Sequence, residues 1–334
     1  MQIKGSEKMI ISQTPLRMSF FGGGTDFKDY YEKYGGLVIS VSINKYIYFI
    51  VNSRNDECIV LNYSDREVVS DVNQIKHNIF REALKLAGIS KSVEITSISD
   101  ITSEGSGLGS SSAFTVGLLN ALYAYKGIIK TPCELAELAC KIEIDVLGNP
   151  IGKQDQYAVA FGGFRKYFFN KDDSVTVQEM DMDDSDLEKF NDNILLVNTE
   201  ITRKSSDILM DQKVHMDINA EHLHTIKAIA EKSEEYFKSS NYGELGNLLN
   251  ISWNNKKILA NKISNCKIDE IYENGKKAGV FGGKLLGAGG GGFFMFLCSP
   301  DRQEKLKTIL AENKILPVKF AKYGSRIVFN SINE

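Results

Sequence analysis

Residues 103–113 read SEGSGLGSSSA and run straight into FTVGLLNALYAYKG, so a flexible, hydroxyl-rich turn opens a segment that is apolar almost all the way round. A helix without a polar face belongs in a core. The first N–H groups of any helix lack partners within it. Here Gly105, Gly107 and Gly109 let the backbone turn tightly, Ser110, Ser111 and Ser112 add hydroxyls, and Gly127 supplies a C-terminal stop. Free N–H groups beside the positive end of the helix dipole make an anion site, with phosphate the expected anion. A serine-glycine cap with no ligand is the plainer alternative. The pattern is not the Walker loop, because no lysine follows, nor GxGxxG opening a dinucleotide fold.

The rest of the chain narrows the setting. Its 334 residues, 43% of them hydrophobic, suffice for about two domains with a real core. With 40 Lys plus Arg against 43 Asp plus Glu, it lacks the basic excess of a non-specific nucleic-acid binder. No long apolar run marks a secretory start, and FFMFLC at 293–298 is too short to cross a bilayer. The cysteines (Cys58, Cys133, Cys140, Cys266, Cys298) are odd in number and scattered, which suits neither a disulfide framework nor a zinc knuckle. A soluble cytoplasmic protein is expected, with neither nucleic acid nor membrane as partner.

Short β-branched and aromatic stretches dominate the first third, among them residues 9–12, 37–41 and 46–51, with SRND at 53–56 reading as a hairpin turn. From about Ser205 the texture becomes helical and charged, over 208–237 and 244–263. A helix after Pro300 and strands at 318–322 and 326–330 close the chain. Strands and helices in this uneven order predict an α+β fold. The acidic stretch DDSDLEKFND at 183–192 marks the expected boundary, dividing the chain into 1–190 and 191–334. Trp253 reads as a packing anchor, and His222 and His224, two apart, point to different helix faces and make no metal pair.

Two acids lie twelve residues apart. Thr131, Pro132 and Glu134 predict a capped helix start, and Leu135, Leu138, Ala139, Ile142 and Val146 one apolar face with Glu143 on its flank. A half-buried carboxylate needs a cation or a donor; a snorkelling surface Glu is the alternative. The helix breaks at Gly148-Asn149-Pro150, and GKQDQ follows. Asp155 in that motif could accept a substrate hydroxyl proton, with Lys153 holding it ionised, or could simply cap a helix. Two further glycine clusters flank this region. PLRMSFFGGGTDF at 15–27 places Arg17 in a strand and Asp26 after a tight turn, where it could hold sugar hydroxyls or bond its own backbone. Residues 282–292 carry seven glycines between apolar strands, a setting that suits packing against a ligand or loop better than a linker.

In this order PLRMSFFGGGTDF, GLGSSSA opening a helix, an acid before GKQDQ, and GKLLGAGGGGFF resemble the GHMP kinases over nearly the whole chain. The resemblance implies an N-terminal α/β domain with a left-handed βαβ crossover, a ferredoxin-like C-terminal domain, and a site between them. It implies that ATP phosphates rest on Gly105, Ser106, Gly107, Leu108, Gly109, Ser110, Ser111 and Ser112. Ser111 and Glu143 would hold Mg2+, and Asp155 would act as the catalytic acid group beside Arg17. Gly24, Thr25 and Asp26 would meet the sugar, and Gly287 and Gly289 would close over the phosphates. Galactokinase-type members carry Glu-His where this chain has Gly23-Gly24, which makes galactose a poor acceptor and leaves room for another sugar.

The expected reaction is phosphoryl transfer from ATP to the anomeric hydroxyl of a sugar phosphate. Arg203 and Lys204 are the candidate partners of the acceptor's own phosphate, ahead of Arg165. A free-sugar 1-kinase and a non-catalytic sugar sensor are the alternatives, and a homodimer stays open.

Overall fold

A computed structural model describes residues 8–101, 105–202 and 205–331. The chain runs through β1 (Met9–Phe21), α1 (Lys28–Tyr34), β2 (Gly36–Ser53), β3 (Ile59–Asn62), β4 (Arg66–Val69), α2 (Asn78–Ala87) and β5 (Val93–Ser99). It continues as α3 (Ser110–Tyr125), α4 (Pro132–Cys140), α5 (Gln154–Phe161), β6 (Phe164–Phe169), β7 (Val175–Glu179) and α6 (Asp184–Asp192). The remainder is β8 (Ile194–Asn198), α7 (Ser205–Val214), α8 (Ala220–Lys238), α9 (Tyr242–Ile258), α10 (Cys266–Ala278), β9 (Gly282–Leu285), β10 (Phe293–Leu297), α11 (Pro300–Ile309), β11 (Ile315–Leu316) and β12 (Arg326–Asn330).

Burial along β1 explains its place. Its first half alternates buried and half-buried residues, whereas everything from Thr14 onward is buried. Alternation marks a strand with one covered face, and a continuous run one covered on both. The strand order of the first sheet is β12-β1-β2-β5-β3-β4, with β6 beside the early part of β2 and β7 beside β6. The second sheet has the order β11-β8-β10-β9 with every pair antiparallel, which is the ferredoxin-like arrangement. Helix α3 lies against β1 and β2 with residues buried around its whole circumference, as its composition requires.

Helix α8 joins the two cores. Leu223 and Ile226 face the core of the second sheet, while Ile229, Ala230 and Phe237 belong to that of the first. Trp253 is fully buried with its ring edge-on to Phe294, the packing role expected of it.

Several sequence expectations change. Residues 37–41 and 46–51 belong to one long strand, and 53–56 makes no hairpin, because β2 pairs with β5 and β3 lies parallel to β5. The acidic stretch at 183–192 is a helix, with Asp183 accepting a cap bond from Asp186 N at 2.8 Å. Residues 208–237 are split between α7 and α8. In place of a strand at 318–322 there is a single bridge from Phe320 to Ile43. Finally, β12 pairs with β1, so a cut at 190/191 does not separate the sheets: the last strand returns to the first one. No helix among the described residues is long and apolar enough to cross a membrane.

Candidate active site

The glycine turn at 105–109 takes shape from both sides. Gly105, Gly107 and Gly109 all have positive φ. Arg17 N donates to Leu108 O at 2.9 Å, and Arg17 Nη1 to Gly107 O at 2.7 Å, tying the turn to β1. Behind it, a Cβ on Gly107 would lie 2.6 Å from Leu286 O, and Phe293 N donates to Ser106 O at 3.2 Å. The late glycine cluster is therefore the bed on which the turn rests. Gly287 lines the cavity with Gly107, whereas Gly289 packs onto Ile263 and is absent from the lining.

Glu143 owes its position to an irregularity the sequence pattern did not show. After the capping box at Thr131 and Glu134, α4 passes into a π-helical turn, Lys141–Val146, with Leu147 N donating to Ile142 O at 2.9 Å. The wider turn alters the helical register, as such insertions often do at functional sites. Val146 consequently points outward, and Glu143, expected on a flank, is 0% exposed. Ser111 Oγ donates to its Oε1 at 2.7 Å and Gln156 Nε2 to its Oε2 at 2.8 Å. Burial pushes the Glu143 carboxyl pKa up, against the hydrogen bonds from Ser111, Gln156 and Ser112.

Asp155 lies in the first turn of α5. Arg17 grips it through two bonds, Nε to Oδ1 at 2.7 Å and Nη2 to Oδ2 at 2.6 Å, and is itself buried. Such fork-to-fork pairs fix orientation as well as charge. Lys153 turns elsewhere, to Asp173 at 2.6 Å, so the holder of Asp155 is Arg17 alone of the two cations considered.

Asp26 is also buried. It accepts from Gly24 N at 3.0 Å, Gln154 N at 3.1 Å and Gln154 Nε2 at 3.2 Å. Burial, with a smaller push from the Asp155 charge, raises its pKa to about 6 against the N–H donors that favour the anion. An acid with a raised native pKa binds more protons folded than unfolded, so stability falls as pH climbs from about 4 through 6. Asp26→Asn removes that dependence. Between pH 4 and pH 7, denaturant titrations should show the variant gaining roughly 2–3 kcal/mol on the wild type. A constant difference across that range would contradict the assignment.

Other expectations resolve case by case. Thr25 is part of the turn framework, its Oγ1 bonded to Gly22 O and Leu37 O, and Leu108 is core. Arg165 serves Gly162 O and Glu179 instead of the cavity. Arg203 and Lys204 lie outside the described residues.

One cavity of about 1010 Å³ gathers Arg17, Gly24, Asp26, Gly105, Ser106, Gly107, Gly109, Ser110, Ser111, Ser112, Asp155 and Gly287, and Glu143 stands directly behind Ser111. Sequence reasoning missed Lys284, a buried cavity residue whose Nζ donates to Phe20 O at 2.8 Å. Burial lowers its pKa to about 7, and the Arg17 charge adds to that. A lysine inside an otherwise apolar strand (GGKLL) was the available signal. Also missed were Tyr63, His77 and Phe114 in the cavity lining, where His77 stacks on Phe114 at 5.1 Å.

A glycine turn at a helix start, a buried carboxylate with its hydroxyl and an arginine-held acid meet at one cavity. The models for the GHMP kinases' N-terminal domain and C-terminal domain match residues 73–163 and 233–315. D-glycero-alpha-D-manno-heptose 7-phosphate kinase of Campylobacter jejuni is 33% identical over 315 residues, covering 90% of this chain and 92% of that one. L-fucokinase/L-fucose-1-P guanylyltransferase of Bacteroides fragilis is 26% identical over 92% of this chain but only 36% of its own length. Among solved structures, a D-glycero-D-manno-heptose 1-phosphate kinase from Bacteroides thetaiotaomicron superposes with a TM-score of 0.79 at 27% identity, covering 96% and 99% of the chains. The chain belongs to the GHMP kinase family, and its fold is the two-domain fold of that family. It is accordingly an ATP-dependent phosphotransferase.

Proposed function

We propose that the protein transfers the γ-phosphoryl group of ATP to the anomeric hydroxyl of a sugar phosphate, with D-glycero-D-manno-heptose 7-phosphate as the acceptor. The observation that carries the reading is that the Arg17–Asp155 pair and the Ser111–Glu143 pair serve a single cavity floored by the glycine turn. The acceptor is suggested by the 33% identical relative.

The turn's N–H groups and the start of α3 neutralise the phosphates. Asp155 takes up the acceptor O–H, orients its oxygen at the γ-phosphorus and receives the proton as the new P–O bond forms and ADP leaves. Arg17 keeps that carboxylate aimed. Such transfer is mainly positioning and charge neutralisation. The residues present also suit Mg2+: a buried carboxylate otherwise met only by neutral donors gains a cation, and this ion takes one or two protein oxygens and the rest from phosphates and water. When bound, it would draw charge from the β- and γ-phosphates. The base of the nucleotide is placed against the aromatic part of the lining, Tyr63, His77 and Phe114.

Two relatives carry names with the phosphate at different ends of the heptose, so the test must read position as well as rate. ADP release is followed with MgATP and a panel of heptose 7-phosphate, other sugar phosphates, L-fucose, galactose and mevalonate, with 31P NMR on products. The reading expects heptose 7-phosphate to give the highest kcat/KM and a new anomeric phosphate signal. Preference for fucose or mevalonate, or ADP release indifferent to every acceptor, would overturn it.

A further inference from the structure

Helix α5 opens with three polar residues, Gln154, Asp155 and Gln156, ahead of the buried apolar run Tyr157–Ala160. Gln154 holds Asp26 through its backbone N–H and its side-chain amide. Asp155 takes the Arg17 guanidinium. Gln156 turns a third way and donates from Nε2 to Glu143 Oε2 at 2.8 Å. Neighbouring helical positions point about 100° apart, so a single turn serves three separate partners.

Gln156 is 0% exposed, and its Oε1 is buried without a hydrogen-bond partner. A buried amide with one arm unmatched costs the fold stability, and a leucine or methionine of similar volume would pack at lower cost. Packing therefore does not account for the residue, whereas its bond to Glu143 does. Ser111, which lines the cavity, donates to the other carboxylate oxygen, Oε1. Glu143 is thus gripped at both oxygens by uncharged donors, Ser111 in the cavity lining and Gln156 outside it. A lysine or arginine at position 156 could hold the carboxylate as well, but it would itself supply the positive charge that a metal ion brings.

We infer that Gln156 is a positioning residue for the metal: it holds Glu143 Oε2 from behind so that Oε1 stays turned to Ser111 and the cavity, without neutralising the charge that a cation needs. Outer partners of this kind orient a ligating carboxylate and tune its affinity. The inference rests on the proposal that Ser111 and Glu143 take Mg2+. It also ties the two halves of the site together, because the clamp on the metal's carboxylate is the residue next to Asp155 on the same helical turn.

The test uses the whole protein saturated with a non-hydrolysable ATP analogue, into which Mn2+ is titrated while free Mn2+ is read by electron paramagnetic resonance. Gln156→Met keeps the reach of the side chain and removes the donor, and it should weaken Mn2+ binding about tenfold or more, with Gln156→Leu alongside it. In a Glu143→Gln background the same substitutions should cost less than about twofold, because the group they act through is gone. Metal-free affinity for the nucleotide, which general loss of structure would move, should stay at the wild-type level. Mn2+ affinity within about twofold of wild type for both variants, or a penalty as large in the Glu143→Gln background as in the wild type, would overturn the role of Gln156. Collapse of metal-free nucleotide binding in both variants would overturn it too, by assigning Gln156 to the fold. If Glu143→Gln alone leaves Mn2+ binding unchanged, the proposed metal corner falls, and this inference with it.

Discussion

Asp155→Asn is expected to lower kcat by about 10²- to 10⁴-fold, the range for loss of a positioned proton acceptor, with ATP affinity unchanged. The substitution keeps the volume and one oxygen for Arg17, so the turn that Arg17 secures through Gly107 O and Leu108 O stays in place. What disappears is the negative charge proposed to meet the acceptor hydroxyl, together with the second arm of the bidentate pair. Single-turnover kinetics separate chemistry from nucleotide binding here. Turnover near wild type would remove Asp155 from the reaction and leave it as a structural partner of Arg17.

A second large effect is expected at Glu143. Glu143→Gln replaces a carboxylate that burial disfavours by a neutral amide of the same shape, so the fold should tolerate it and even gain stability. Catalysis should not. With the charge gone, this pair offers a cation only neutral oxygens, the Ser111 hydroxyl and the new amide carbonyl. Among the described residues, no cluster of three or more His, Cys, Asp or Glu side chains stands ready to replace it. The Mg2+ concentration for half-maximal rate should rise by roughly 10- to 100-fold, and kcat/KM for nucleotide should fall with it. A wild-type Mg2+ dependence in a well-folded variant would contradict the role.

These sites were legible in the sequence to different depths for identifiable reasons. Local chemistry read well. Thr131 and Glu134 form the capping box their spacing predicts. The apolar stretch after Ser112 is the buried helix that its lack of a polar face requires. Ser111 meets Glu143 and Arg17 meets Asp155, pairings that only motif order could suggest, since 32 and 138 residues separate the partners. Failures came where distant strands compete for a partner. SRND looked like a hairpin because a turn and two strands were present, but β5 offers β2 a longer pairing than β3 could. The π-helical turn at Lys141–Val146 escaped because an expected 3.6-residue period cannot register a wider turn. His77 escaped for another reason: its place in the cavity lining is a property of the folded environment, with no signature in one dimension.

The role of the glycine turn and the two acids is tested most directly by a crystal grown with Mn2+ and a non-hydrolysable ATP analogue. The account predicts triphosphate oxygens against the N–H groups of residues 105–112. It also predicts anomalous density for the metal beside Ser111 and Glu143, with Asp155 facing the γ-phosphate. Nucleotide bound elsewhere, or a metal coordinated away from both Ser111 and Glu143, would contradict it.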